Sequence, residues 1–350
     1  MPNARVDFPI SMALPALFHF VRELDFYSQH DRVIIDLPER IFMPPFAQIL
    51  LASKIKYMRQ RCPGLSIIFN GWESYGYLSH MGFFDMCGFE HGLKVGEAAG
   101  STNYLPITEV HRSSFYETKL DEYEELPDLI QRHVDRISEV LARDRSANTN
   151  MFDVLSYSIR EMFRNVFEHG ETDRLYFCAQ YWPKSNKVEF AVSDFGVGIR
   201  EALGNNPNFR FKTDKEALEY SLLPSVSGRT HEPRKSENWF NSGYGLYMTN
   251  RLARNGGNFV IASGSDAIHL SRKSKHNYLT SFPGTAIRVN LNVDEIGAVQ
   301  ARLAEFRKEG FEVASQITGS GNRPPSAMSL LLRRDYQTGS HGGGQRSKRH

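Results

Sequence analysis

Glu161 and Asn165 stand four residues apart in the run Glu161-Met-Phe-Arg-Asn165-Val-Phe-Glu168-His169-Gly170. On a helix that spacing sets a carboxylate and a carboxamide on one face, a single turn apart. The pair suits a magnesium nucleotide. An amide oxygen is a hard ligand for Mg2+, which keeps several waters and takes other oxygens from phosphates. A carboxylate one turn away can accept the proton of a water or hydroxyl that attacks a γ-phosphate. A polar face on a surface helix would carry the same residues, so the pair alone decides nothing.

A second group is Asp194-Phe195-Gly196-Val197-Gly198-Ile199, directly after an apolar run at 188–192. An ionised carboxylate at a strand end can accept a hydrogen bond from an exocyclic amine such as that of adenine. The glycines let the backbone turn and approach a ligand closely. A dinucleotide fingerprint is excluded, because Asp precedes the glycines and the third glycine is missing at the required spacing. A simple Gly-rich turn remains open. The third group, Asn241-Ser242-Gly243-Tyr244-Gly245-Leu246, runs into a helical pattern. Glycines there expose the first N–H groups of the helix, an anion site suited to phosphates, although a plain helix boundary looks the same. No Gly-Lys-Ser/Thr follows, so it is not a Walker A loop. Pro283-Gly284-Thr285 at the head of a late strand is a weaker signal of the same kind.

The elements that must carry these groups can be read from periodicity. Helical stripes occupy 126–141, 151–168 and 246–254. Strands are predicted at 174–181, 188–192, 258–263 and 285–290, with a long polar stretch at 204–241. Upstream, buried strands at 33–37 and 65–69 alternate with helices at 46–58 and 74–87, a pattern that implies a parallel sheet with crossover helices. Gly, Ser, Thr and a charge cluster mark 95–125 as a junction, interrupted by a strand at 103–108. A late helix at 293–308 and a last strand at 329–334 complete the pattern. The Gly/Ser/His-rich end with Arg346, Lys348 and Arg349 predicts a disordered basic tail.

The three groups, in this order and with this alternation of elements, resemble the GHKL family of histidine kinase-like ATPases over residues 126–292. The first group falls at the family's N box and the others at its glycine boxes. The resemblance implies a two-layer α/β sandwich of the Bergerat type that holds ATP and Mg2+ between helices and a lid. By position it implies Asn165 for magnesium, Asp194 with Gly196 and Gly198 for adenine, and Gly243, Gly245 and Leu246 for the phosphates. Thr285 falls with the late glycine element, and Glu161 where some members keep a catalytic base. His169 falls near the phosphates or serves as a helix-end cap. Residues 204–241 would be the lid, with Arg229 and Lys235 either reaching the phosphates or solvated.

Within that family the nearest type is the anti-sigma-factor serine kinase. A sensor histidine kinase needs a phosphoacceptor on its own helical hairpin. His133 lies too close to Asn165 for that and is read as a helix–helix contact. Residues 1–95 resemble a STAS-like α/β domain, on the strands at 33–37 and 65–69 and on Met81-Gly-Phe-Phe-Asp-Met-Cys-Gly88. Phospho-switched members carry Ser or Thr where this chain has Phe42-Met43-Pro44-Pro45-Phe46. The expected division is therefore 1–95 STAS-like, 96–125 linker, 126–292 ATP-binding, 293–336 C-terminal extension and 337–350 tail.

Composition agrees with an α/β globular protein, since 41% of the 350 residues are hydrophobic and 23% charged. A net charge of +2 with no basic stripe does not indicate nucleic acid. Cys62, Cys87 and Cys178 lack metal-ligand or disulfide spacing. No apolar run reaches the ~18 residues of a membrane span, and a cytoplasmic protein is expected. The resemblance implies an ATP-binding regulator that hydrolyses ATP or transfers phosphoryl to serine or threonine of a protein partner. That partner would be a STAS-type or sigma-like regulator, and many relatives form homodimers. The alternatives are a non-catalytic, nucleotide-gated interaction module and a DNA-acting or defence-type ATPase.

Overall fold

Three short strands, β1 (Asn3–Asp7), β2 (Arg32–Asp36) and β3 (Ser66–Asn70), alternate buried and more exposed residues. In the computed structural model they form a parallel sheet in the order β1-β2-β3. The structure describes residues 3–117, 125–143, 149–228, 243–296, 299–317 and 320. Helices α1 (Leu14–Glu23) and α2 (Pro45–Arg61) make the crossovers. Pro45 opens α2 and Pro15 is the second residue of α1, where a missing N–H costs nothing in a first helical turn. Val6, Ile35 and Phe69 share one core with α1 and α2. The opposite face carries the Arg5–Asp36 ion pair and the bond from Asn70 Nδ2 to Asp36, 2.7 Å.

The helix expected at 74–87 is two pieces, α3 (Gly76–His80) and α4 (Phe83–Met86), because the chain turns at Gly82. The predicted linker also contributes structure. It holds β4 (Tyr104–His111), which pairs antiparallel with β5 (Arg174–Trp182), followed by the short α5 (Arg112–Glu117). With β6 (Lys187–Ser193), β7 (Gly257–Ser271) and β8 (Lys275–Asn292) these strands form an antiparallel sheet in the order β4-β5-β6-β8-β7. β7 and β8 extend well past the predicted spans as one long hairpin. The fold is thus mixed α/β, with one parallel and one antiparallel sheet.

Helices α6 (Leu126–Ala142), α7 (Thr149–His169) and α10 (Gly245–Gly256) cover one face of the antiparallel sheet. Phe163 and Met248 pack there with Phe177, Phe190, Ile261 and Val289. The other face is covered too. Tyr176, Cys178, Ala191, Val260 and Ala286, of opposite strand parity, join the core of α1 and α2. Helix α2 therefore lies between two sheets, and residues 46–55 are buried without a break. Even its polar residues Gln48, Ser53 and Lys54 are buried there. The end of α2 is fixed chemically, since the Phe46 N–H donates to Glu189 Oε1 on β6 at 2.9 Å.

Helix α8 (Gly198–Gly204) leads into the polar stretch predicted as a lid, which holds α9 (Asp214–Ser221). Thr213 caps the start of α9, its Oγ1 accepting the Glu216 N–H at 3.2 Å, while the Glu216 carboxylate accepts the Lys212 N–H at 2.7 Å. Asp214 accepts the Ser265 N–H at 2.8 Å, which ties α9 to β7. A late helix, α11 (Val299–Ala314), packs on α10. The expected strand at 329–334 and the basic tail lie outside the described residues. Among the described residues no helix is long and apolar enough to cross a membrane. The three cysteines are free, Cys87 and Cys178 being buried.

Candidate functional site

The face of α7 that bears Asn165 meets the end of β6 and the start of α10 across one cleft. Strand β6 alternates its side chains, so Val192 and Asp194 point to this side while Ala191 packs on the other. Asp194 is 3% exposed. Its N–H donates to the Thr285 carbonyl at 2.9 Å, and its Oδ1 accepts the Gly196 N–H at 2.7 Å. Gly196 permits this turn because a Cβ there would collide with the carbonyl of Gly170 at the end of α7. The next peptide continues the contact, Val197 donating to the same carbonyl at 3.0 Å.

Asn165, Asp194, Gly198 and Thr285 line the cleft from the α7 and sheet sides. Gly243, Gly245 and Leu246 line it at the start of α10. Seven of the nine residues singled out in the sequence thus converge on a single space, although they come from four separate stretches of chain. Met162, Val166, Val192, Ile199, Leu203 and Ile287 supply apolar walls. The empty space of the cleft is about 770 Å3, open solvent included. His169, the last residue of α7, also lines it. Asn241, Ser242, Arg229 and Lys235 lie outside the described residues.

Two candidates sit elsewhere. Gly196 shapes the turn behind Asp194 without lining the space. Glu161 is one turn before Asn165 but turns away from the lining. Its Oε1 is 3.3 Å from Arg160 and 3.5 Å from Arg164, and all three side chains are nearly buried. Its Oε2 lies where a Cβ on Gly245 would have to go, so Glu161 packs behind the start of α10.

Sequence reasoning missed Ser263 on β7. Its Oγ accepts the Ile199 N–H at 3.0 Å and donates to the Gly284 carbonyl at 2.7 Å. One hydroxyl therefore joins the Asp194 loop to the turn before Thr285. A serine within a strand carries no pattern that announces this. His133 is on α6, its ring 5.5 Å from Phe115 and 6.2 Å from Phe163 on α7; burial lowers its pKa.

The electrostatics single out Asp194. Burial pushes its carboxyl up to about 7, against the opposing effect of the Gly196 and Thr285 N–H groups. A desolvated acceptor facing an apolar cleft is suited to a ligand that brings its own N–H donor. The Asn165 amide nitrogen is buried without a hydrogen-bond partner among the described residues, so this amide keeps unused polar capacity beside the cleft. Among the described residues no three His, Cys, Asp or Glu side chains gather into a metal cage. Mg2+ held by one amide oxygen, water and phosphate oxygens needs no such cage.

Comparison with protein-family models and with curated proteins finds no match for this chain.

Proposed function

We propose that the cleft binds ATP with Mg2+ and that the protein is a GHKL-type regulator, with a STAS-like N-terminal module covering the rear of its ATP-binding sheet. The observation that carries this is the convergence of Asn165, Asp194 and the Gly243/Gly245 pair on one space. Asp194 would accept the adenine amine, and the apolar walls would take the faces of the base. The N–H groups at the start of α10 would meet the phosphates. Asn165 would hold Mg2+, which when bound neutralises phosphate charge. The bound nucleotide would be hydrolysed, or its phosphoryl group passed to serine or threonine of a protein partner, a STAS-type or sigma-like regulator.

One observation favours a second reading, a non-catalytic module gated by nucleotide. The carboxylate that would serve as base is committed to two guanidiniums and packs behind Gly245. Calorimetric titration with ATP, with and without Mg2+, tests the main proposal. Binding that tightens with Mg2+, and loses that gain in Asn165→Ala, is the expected result; no binding under either condition overturns it. Phosphate release in the same samples separates the two readings.

A further inference from the structure

The two residues that flank Asp194 both face helix α2. Ser193 and Phe195 have the opposite strand parity to Asp194, so they point away from the cleft and into the N-terminal module. Ser193 Oγ is 2.7 Å from Ser53 Oγ, and both side chains are buried. The Phe195 ring lies 6.2 Å from Tyr57 and 5.6 Å from Tyr176. Ser53 and Tyr57 are four residues apart and therefore share one face of α2. Two consecutive turns of one helix thus grip the residues on either side of the cleft's buried carboxyl. Between them Lys54, also buried, donates to the Ser281 carbonyl at 2.7 Å and to Asp25 at 2.6 Å. Ser281 lies four residues before Thr285 on β8, the strand that accepts the Asp194 N–H.

The loop needs this rear support. Gly196 and Gly198 bring no side chain to pack it from the front. At the front two backbone N–H groups anchor it, Val197 donating to the Gly170 carbonyl and Ile199 to the Ser263 hydroxyl. Hydrogen bonds weaken steeply as length and angle depart from ideal, so a small shift of the strand end would move the Asp194 carboxyl off its ligand. We propose that Ser53 and Tyr57 are positioning residues for base recognition, so that the N-terminal module sets how well the cleft reads adenine. This inference rests on the ATP reading above. A partner that shifts α2 would then act on nucleotide affinity from the far side of the sheet, with no contact to the nucleotide.

The full-length protein and its Ser53→Ala, Tyr57→Ala and Tyr57→Phe variants, titrated with ATP and with inorganic triphosphate, provide the test. Losing one buried hydrogen bond or ring contact weakens a dependent interaction by about fivefold to tenfold. Ser53→Ala and Tyr57→Ala should lose that much ATP affinity while triphosphate binding stays at the wild-type value. Tyr57→Phe, which keeps the ring, should bind ATP like wild type. Equal losses for ATP and triphosphate would mark general damage and overturn the proposal, as would unchanged ATP affinity in both alanine variants. Wild-type protein that binds no ATP would remove the ATP reading itself, whereas wild-type binding with unaltered variants removes only the role of α2.

Discussion

Glu189 Oε1 accepts the backbone N–H of Phe46 at 2.9 Å across 143 residues of chain. Its other oxygen accepts from Asn290 Nδ2 at 3.1 Å, and the Arg288 guanidinium lies 5.5 Å over the Phe46 ring. A carboxylate at a helix N-terminus satisfies an orphan donor and meets the positive end of the helix dipole. Here the helix belongs to one sheet's module and the carboxylate to the other sheet, so the contact fastens the two together. Glu189→Ala should leave the start of α2 without its buried acceptor and remove a negative charge that favours the buried Arg288 cation. A loss of about 2–4 kcal/mol is expected, read as a lower urea midpoint; a midpoint equal to wild type would show that the contact contributes nothing.

The buried carboxyl of Asp194 predicts an unusual pH dependence. Its folded pKa, about 7, is raised from the ordinary 3.8. The group therefore favours the folded state below about pH 4, and that contribution is lost as pH climbs toward 7. Full ionisation costs at most about 4 kcal/mol, at 1.36 kcal/mol for each pKa unit. Asp194→Asn cannot ionise, so the unliganded variant should be more stable than wild type at pH 8, with the gain shrinking toward pH 5. ATP affinity should move the other way. Wild type should bind more tightly from pH 6 to pH 8, as the acceptor ionises, and the variant should bind weakly throughout. Denaturation and calorimetry at both ends of that range check the two trends.

Gly284 has φ near +73°, and a Cβ there would strike the Asp194 carbonyl and come within 2.9 Å of its Oδ1. Gly96 has φ near +84° but open space around it. Both alanine variants carry the left-handed backbone cost of about 1 kcal/mol. Only Gly284→Ala adds the collision, so it should lose about 2 kcal/mol more than Gly96→Ala and lose nucleotide affinity as well. Equal unfolding midpoints for the two variants would contradict the close approach.

What the sequence showed of this molecule was set by local pattern. The strands near 33–37 and 65–69 and the helices near 46–58, 126–141 and 151–168 are legible because their apolar residues recur at strand or helix spacing, even where, as in α2, burial runs on without a period. The hairpin of β7 and β8 was cut short because Gly264, Ser265 and Asp266 interrupt the apolar pattern at a register shift, which the partner strand tolerates. The embedding of α2 between sheets was legible in principle, since both parities of β6 are apolar near Phe190 and Ala191 and residues 46–55 have no polar stripe. Which surfaces meet is a tertiary fact, and no local period encodes it. Asn165, Asp194 and Gly245 were legible because their chemistry needs fixed short spacings. Ser263 and Ser53 act across long separations and leave no such trace.

Glu161 shows how the same spacing admits two roles. Burial works against the Arg164 cation, but Glu161 and then Glu168 outweigh it and keep the guanidinium firmly charged. Arg164 Nε also donates to Glu168 at 2.8 Å, and Arg160 Nη1 to Gln131 at 3.1 Å, so Glu161 belongs to a network that joins α6 and α7. Glu161→Gln keeps the shape and removes the charge. In the network role it should lower unfolding stability by about 2–4 kcal/mol, because two buried guanidiniums lose a counter-charge. A base acting in turnover gives a different signature, abolished phosphate release with the urea midpoint unmoved. The buried ion pairs predict the first result, and measuring midpoint and phosphate release on one preparation decides between them.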